Sequence, residues 1–123
     1  MASKIDNFYD LDTWKEAHLL VLGIYKITEN FPAHEIYWVT SQLRRAASSI
    51  TANIAEGFSR YHYKDKIKFY YQARGSVSEV QNFLILSRDL NYITTKKCAE
   101  LGSKAHTIRK LINGLIRTTG NQI

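Results

Sequence analysis

The sequence predicts an all-α protein, specifically an antiparallel up-down-up-down four-helix bundle. Apolar residues recur at steps of three and four along four successive segments, which is the spacing that places side chains on one face of a helix. Proline occurs once and glycine only six times, so signals for strands and tight turns are rare. Short connections between the segments favour antiparallel neighbours. The length of 123 residues, 45% of them hydrophobic, predicts a single domain over residues 1–123.

The first helix is predicted over residues 13–30. Its apolar stripe includes Trp14, Ala17 and Ile24. Thr13 stands three residues before Glu16, a spacing typical of a capping box at a helix start. The following Phe31-Pro32 ends the segment, because a residue before proline is pushed out of the helical region.

The second helix is predicted over residues 34–60, with an apolar stripe that begins at Ile36 and Val39 and reaches Gly57. Many small residues surround this stripe, and small side chains let a neighbouring backbone approach closely. We therefore expect this helix to be the most crowded of the four.

The third helix is predicted over residues 63–91 and the fourth over residues 95–118. Gly75 falls in the middle of the third helix, which suggests either a close contact or a slight bend there. Thr94 or Thr95 provides an N-cap for the fourth helix. The lone Cys98 lies on the apolar stripe of this helix, which predicts a buried packing thiol.

The net charge of +6 is concentrated near the end of the chain, where residues 91–123 carry +5. Such a field favours polyanions, nucleic acid above all, although charge also simply keeps small proteins soluble. No apolar stretch approaches the ~18–20 residues that cross a bilayer, and the N-terminus shows no apolar signal core. With a single cysteine, these features predict a cytoplasmic protein without a membrane partner.

Catalytic motifs are absent from the sequence. No glutamate is followed three residues later by histidine, as a di-iron bundle would need. His34-Glu35 begins like a zinc motif, but Trp38 occupies the position of the second histidine. No glycine-rich phosphate loop occurs. The sequence therefore predicts no catalytic residue, no metal, no cofactor and no enzymatic activity.

Polar residues within the apolar pattern form a second group of interest: Arg44, Arg45, Asn53, Glu56 and Glu79. Asn53 occupies a core-type position and should have a partner, because an unpaired buried amide costs about 1–3 kcal/mol. Candidate partners are Glu79, or Arg44 or Arg45 of the same or a neighbouring subunit. The group is interpreted as a structural polar network that fixes helix register and oligomeric state. The alternative is a ligand pocket, which would allow a small-molecule enzyme.

Two sequence blocks, read with their flanks, carry a family resemblance. The blocks are Ser41-Gln42-Leu43-Arg44-Arg45-Ala46-Ala47-Ser48-Ser49-Ile50 and Asn53-Ile54-Ala55-Glu56-Gly57. The matching flanks include Phe31-Pro32, Ala73-Arg74-Gly75-Ser76 and Leu90-Asn91-Tyr92-Ile93. Together they are similar to the 23S rRNA intervening-sequence proteins, also called four-helix bundle proteins, with Trp38 as a departure where a small residue is expected.

The resemblance implies an antiparallel four-helix bundle that assembles into a homo-oligomeric ring, a pentamer. A bundle accessory protein of diversity-generating retroelements looks distantly similar, and it is a basic pentamer associated with nucleic acid. The resemblance thus favours nucleic-acid binding without supplying a catalytic or base-reading residue.

Candidate nucleic-acid-binding residues lie around the start of the third helix and along the fourth: Arg60, Lys64, Lys66, Lys68, Lys96, Lys97, Lys104, Lys110 and Arg117. The first four interleave with tyrosines that could stack on unpaired bases: Tyr61, Tyr63, Tyr70 and Tyr71. The ordinary alternative for any one of these residues is a solvated helix face. The sequence predicts a non-enzymatic oligomer that binds RNA or DNA nonspecifically. The alternative is a structural or protein-interaction module anchored by aromatic residues such as Tyr9, Tyr37 and Trp38.

Overall fold

The structure, a computed structural model, describes residues 5–123, so residues 1–4 of the predicted domain lie outside the described part. Four α-helices account for most of it: α1 (Asp12–Thr28), α2 (Val39–Ser59), α3 (Tyr63–Asp89) and α4 (Thr95–Gly120). Short 3-10 turns, Phe8–Asp10 and Ala33–Glu35, precede α1 and α2. Residues 5–123 contain no strand. The predicted all-α bundle is confirmed.

Each helix packs against two others, in the closed order α1–α2–α3–α4–α1, and the α2–α3 interface is the most extensive. Contacts between α2 and α3 run in opposite sequence directions, since Arg45 near the start of α2 meets Glu79, while Phe58 near its end meets Lys66. The same holds for α3 and α4, where Leu84 meets Cys98 and the earlier Arg74 meets the later Asn113. These helix pairs are therefore antiparallel.

Apolar side chains from all four helices fill one continuous core. Its largest fully buried members are Leu20, Ile24, Leu43, Ile50, Ile54, Val77, Val80, Leu84, Ile108 and Ile112. Removing each such side chain from water contributes roughly 1.5–3 kcal/mol, which makes this core the main source of stability. Cys98 is buried as expected, and its thiol donates to the carbonyl of Leu84 at 3.6 Å.

The start of the second helix differs from the prediction. The expected helix begins at residue 34, but α2 begins at Val39, and Ile36 is an exposed residue of the connection. Trp38 has φ −122° and ψ −103°, outside the helical region. A long-range contact holds this connection, because the Tyr92 hydroxyl donates to the buried Glu35 carboxylate at 2.8 Å.

The other helix ends lie close to their predicted positions. Thr94 caps α4, accepting from the Lys97 backbone N–H at 3.0 Å. The predicted capping box of α1 is wrong: the helix begins at Asp12, and Thr13 is buried inside its first turn. Asn91 follows α3 with φ 64°, a left-handed conformation that ends the helix and that asparagine tolerates better than most residues.

Candidate nucleic-acid interface

The five candidate cations of α4 are all exposed, and we call them the α4 row, although they spread over nearly half of the helix circumference: Lys96, Lys97, Lys104, Lys110 and Arg117. The row spans about 30 Å, since a helix rises ~1.5 Å per residue. Lys97 forms an ion pair with Glu100 at 3.2 Å. Among residues 5–123, the other four form no salt bridge, so their charge faces solvent uncompensated.

The four candidates around the start of α3 divide into two kinds. Lys64 and Lys68 are exposed and form no salt bridge within the described chain. Arg60 instead pairs with Glu56 at 2.8 Å, and its guanidinium lies 4.8 Å from the ring centre of Phe69. The charge of Arg60 is therefore offset by a neighbour.

The Lys66 ammonium is engaged in hydrogen bonds within the protein and so stabilises the fold. Its ammonium donates to the carbonyl of Phe58 at 2.6 Å and approaches that of Gly57 at 3.4 Å, at the C-terminal end of α2. Cations stabilise this end of a helix, where carbonyl groups lack intrahelical partners. Partial burial lowers the pKa of Lys66 from its ordinary value. We therefore do not expect Lys66 to be the strongest phosphate contact of the set.

The start of α3 and the end of α4 lie side by side. An open depression of about 430 Å³ is lined by His62, Tyr63, Lys64, Asp65, Gln122 and Ile123. Antiparallel packing thus brings Lys64 to the same end of the bundle as the last turns of α4. The α4 row and the first turn of α3 can act on one extended ligand.

The predicted polar network separates into distinct contacts. Arg45 on α2 pairs with Glu79 on α3, and both side chains are about half exposed. Arg44 donates to the Thr28 hydroxyl at 2.8 Å, and its guanidinium lies 4.6 Å from the ring centre of Tyr25. Arg44 thus joins α1 to α2, while Arg45 joins α2 to α3.

Asn53 is half-buried, and its partner differs from the candidates named from sequence. Its amide donates to the carbonyl of Ser49 at 2.9 Å and to the Ser49 hydroxyl at 3.0 Å. The Ser76 hydroxyl of α3 donates to that same hydroxyl at 2.9 Å. Serine, not an ionic group, therefore satisfies the asparagine and links it to α3.

Of the stacking tyrosines predicted from sequence, Tyr70 is buried, whereas Tyr71 is exposed. Tyr71 belongs to a second basic group that sequence reasoning did not bring together and that we call the α3–α4 face: Tyr71, Arg74 and Ser78 of α3 with Arg109 and Asn113 of α4. Arg74 Nη1 donates to Asn113 Oδ1 at 3.0 Å, and the guanidinium lies 5.3 Å from the ring centre of Tyr71. Arg109 Nη2 donates to Ser78 Oγ and to Gln81 Oε1, both at 2.7 Å. Helical spacing places these residues beside the apolar stripe, but only packing shows that they face one another.

Metal-binding clusters and membrane-spanning helices are both missing from the described part of the chain. Residues 5–123 contain no cluster of three or more His, Cys, Asp or Glu side chains that could hold a metal ion. In the same range, every helix is too short or too polar to cross a bilayer. Of the histidines, His18 stacks on Trp14 with ring centres 4.6 Å apart.

Four amphipathic helices closed around one apolar core define a helical-bundle protein, with its positive charge displayed outward on α3 and α4. The chain belongs to the 23S rRNA-intervening sequence protein family, whose profile matches residues 9–114. The resemblance inferred from sequence is thereby confirmed.

A solved structure shares this fold. It is the crystal structure of a protein with unknown function from the S23 ribosomal protein family of Bacteroides thetaiotaomicron VPI-5482. The two chains are 23% identical and superpose with a TM-score of 0.76, covering 85% of this chain and 97% of the other. At this identity the likeness establishes the fold alone. No curated protein matches the sequence.

Proposed function

We propose that this protein is a non-enzymatic, cytoplasmic homo-oligomer, a pentameric ring, that binds RNA or DNA without sequence preference. The observation that carries the proposal is the exposed row of Lys96, Lys104, Lys110 and Arg117, none of which forms a salt bridge within residues 5–123. Binding at such a row releases counterions condensed on the nucleic acid, and this provides affinity without reading bases.

Self-association is supported by apolar side chains on the outer side of α1. Leu19 and Leu22 are each about half exposed, and Tyr25 nearly so. Burying them against another copy would remove apolar area from water. Repeating the basic row around a ring would then multiply weak phosphate contacts into useful avidity.

Salt dependence of binding tests the nucleic-acid proposal. A labelled oligonucleotide is titrated with protein over a series of salt concentrations, and the native mass of the free protein is recorded in parallel. The logarithm of the binding constant should fall with the logarithm of salt by about 0.9 for each duplex phosphate contacted. Absence of binding at low salt, or a flat dependence, contradicts the proposal, and a monomeric native mass contradicts the ring.

Removing positive charges from α4 tests whether the α4 row itself binds the nucleic acid. Replacing Lys104 and Lys110 of this row by glutamine removes two charges and should weaken binding and flatten the salt dependence. A matched control changes Lys15 and Lys26, two exposed lysines of α1, to glutamine. Equal reductions in affinity in both variants would mean that net charge, and not the α4 row, determines binding.

A protein partner is the second candidate function, favoured by the exposed connection before α2. Tyr37 is 82% exposed and Trp38 is 69% exposed. Exposed aromatic residues commonly anchor protein interfaces. A single protein retained by the wild type after nuclease treatment, and absent from the W38A variant, would favour this function over nucleic-acid binding.

A further inference from the structure

The α3–α4 face presents two guanidinium groups, one from each helix, on neighbouring levels of the bundle. Arg74 is held by Asn113, and Arg109 is held by Ser78 and Gln81. Ser78 follows Arg74 by one helical turn on α3, and Asn113 follows Arg109 by one turn on α4. Each spacing is four residues, so the two levels are about 6 Å apart along the helix axes.

The partners of these two arginines are all uncharged, so their positive charge is not neutralised. In residues 5–123, neither Arg74 nor Arg109 forms a salt bridge. The acidic residues of α3 and α4 are Asp65, Glu79, Asp89 and Glu100. Three of them pair elsewhere: Glu79 with Arg45, Asp89 with Arg88, and Glu100 with Lys97. Asp65 lies in the first turn of α3, more than two turns from Arg74.

Hydrogen bonding within the protein also leaves these groups incompletely satisfied. A guanidinium has five N–H donors. Arg74 makes one side-chain hydrogen bond, and Arg109 makes two, both through Nη2. Arg109 Nε is buried and has no acceptor in the described chain. Because it is buried, Arg109 Nε cannot reach a ligand in solution. Neutral partners orient both half-buried groups, and the remaining Nη donors are left for an anionic ligand, since phosphate oxygens suit guanidinium donors in charge and geometry.

An exposed aromatic ring lies beside the two cations. Tyr71 is 47% exposed and contacts the guanidinium of Arg74. Tyrosine rings can stack on unpaired bases, whatever the base, whereas bases inside a duplex are already stacked on each other. Two guanidinium groups next to such a ring match a single strand better than a duplex.

We infer that the α3–α4 face is a binding site for single-stranded nucleic acid. Arg74 and Arg109 contact the phosphodiester backbone, and Tyr71 stacks on a base. The inference rests on the proposed function, and it adds a defined site and a strand preference. It also assigns the strongest contacts to two residues outside the α4 row.

The test compares variants of the full chain for binding to a labelled oligouridylate and to a duplex of equal length. R74Q/R109Q removes the two guanidinium groups, and K15Q/K26Q removes two positive charges on α1 as the matched control. R74Q/R109Q should weaken single-strand binding about tenfold or more. The salt slope should become shallower by about 0.7 for each phosphate that the variant no longer neutralises. The control should change affinity by less than about twofold.

Two further variants separate the contributions of charge and stacking. R74K/R109K keeps both charges but lacks the forked donors, and it should retain more affinity than R74Q/R109Q. Y71L should weaken single-strand binding about fivefold or more and leave duplex binding almost unchanged. Circular dichroism and thermal melting of each variant verify folding. If the glutamine variant is unfolded, R74K/R109K replaces it and should weaken single-strand binding more than K15Q/K26Q does, because lysine lacks the forked donors; an equal or smaller effect would contradict the inference.

The outcomes distinguish this inference from the proposed function. If the wild type binds but R74Q/R109Q weakens binding no more than K15Q/K26Q, the α3–α4 face is not the site and the general function stands. If the duplex binds as tightly as the single strand and Y71L affects both equally, the strand preference is wrong. If the wild type binds neither ligand at low salt, the inference and the proposed function both fail.

Discussion

The two sides of α3 differ in how their charged side chains are paired and in how closely the neighbouring helix packs. At the α2–α3 interface, Arg45 meets the opposite charge of Glu79, and Ser76 donates to a serine of α2. At the α3–α4 face, Arg74 and Arg109 meet only neutral partners. At the α2–α3 interface the charges are paired within the protein. At the α3–α4 face the positive charges have only neutral partners and can attract an anionic ligand. One helix thus contributes to a structural contact on one side and to a candidate binding surface on the other.

The two sides of α3 also differ in how closely the helices pack. A Cβ atom added at Gly57 of α2 would lie 2.7 Å from Cε1 of Tyr70 and 3.1 Å from the carbonyl oxygen of Lys66. A Cβ atom at Gly102 of α4 would meet nothing within 4 Å. The α2–α3 interface therefore requires glycine for close approach, whereas the α4 position tolerates a side chain.

The largest expected effect comes from G57A. The added methyl group overlaps a buried ring and a backbone carbonyl, so the variant should be destabilised by about 2 kcal/mol. The melting temperature, followed by circular dichroism, should fall by roughly 8 °C. The matched control G102A removes a helical glycine from open space and should gain up to about 1 kcal/mol. Equal melting temperatures for the two variants would contradict the difference in packing.

Alkaline pH should weaken the α2–α3 interface through Tyr70. Burial raises the pKa of Tyr70 to about 12. Because this pKa is raised above its ordinary value of 10.0, the stability contribution is complete below pH 10 and is lost as pH rises through about 12. Urea denaturation at several pH values should show the decline in the wild type and a smaller one in Y70F. A tyrosinate absorbance titration in which every tyrosine ionises near pH 10 would contradict this expectation.

Two serines of α3 allow a smaller comparison of the same kind. Ser76 is buried and donates to Ser49 at 2.9 Å, so S76A should cost about 1 kcal/mol. Ser78 is exposed and accepts from Arg109, so S78A should change stability by less than about 0.5 kcal/mol. Urea denaturation midpoints measure both. A larger destabilisation in S78A than in S76A would mean that the α3–α4 face, and not the α2–α3 interface, contributes more to stability.

The smallest expected effect belongs to the exposed pair of Arg45 and Glu79. Both side chains are about half exposed, so a double-mutant cycle with R45Q and E79Q should yield a coupling of about 0.5 kcal/mol at low salt. The coupling should shrink at high salt, because ions screen exposed charges. A coupling that persists unchanged in high salt would show that this contact is shielded from solvent.

The connection before α2 shows where local sequence signals are insufficient. Helical periodicity continues through Ile36, so the sequence predicts that the second helix begins at residue 34. A hydrogen bond from Tyr92, far along the chain, fixes Glu35 in the connection instead. The capping box at Thr13 fails similarly, since Thr13 is buried and α1 begins one residue earlier. By contrast, Thr94 caps α4 because its partner Lys97 lies only three residues away.

In the candidate site, too, the sequence pattern predicts some features, and only the structure shows the others. The 100° rotation per residue predicts Lys96, Lys110 and Arg117 opposite the apolar stripe of α4, with Lys97 and Lys104 beside that stripe. The engagement of Lys66 with the end of α2, and of Asn53 with Ser49, does not follow from the pattern. The pairing of Arg74 with Asn113 joins residues 39 positions apart. No local pattern specifies such a pairing.

The sequence by itself determined that four amphipathic helices form, which side of each is apolar, and that positive charge accumulates toward the end of the chain. These properties depend on residues within a few helical turns of each other. The tertiary structure alone decided which polar groups meet across neighbouring helices, and so which charges are neutralised and which remain exposed. The physical reason is that packing of the shared core sets the rotation and axial position of each helix. A shift of one turn in that register would give different partners to the polar side chains that meet across helices.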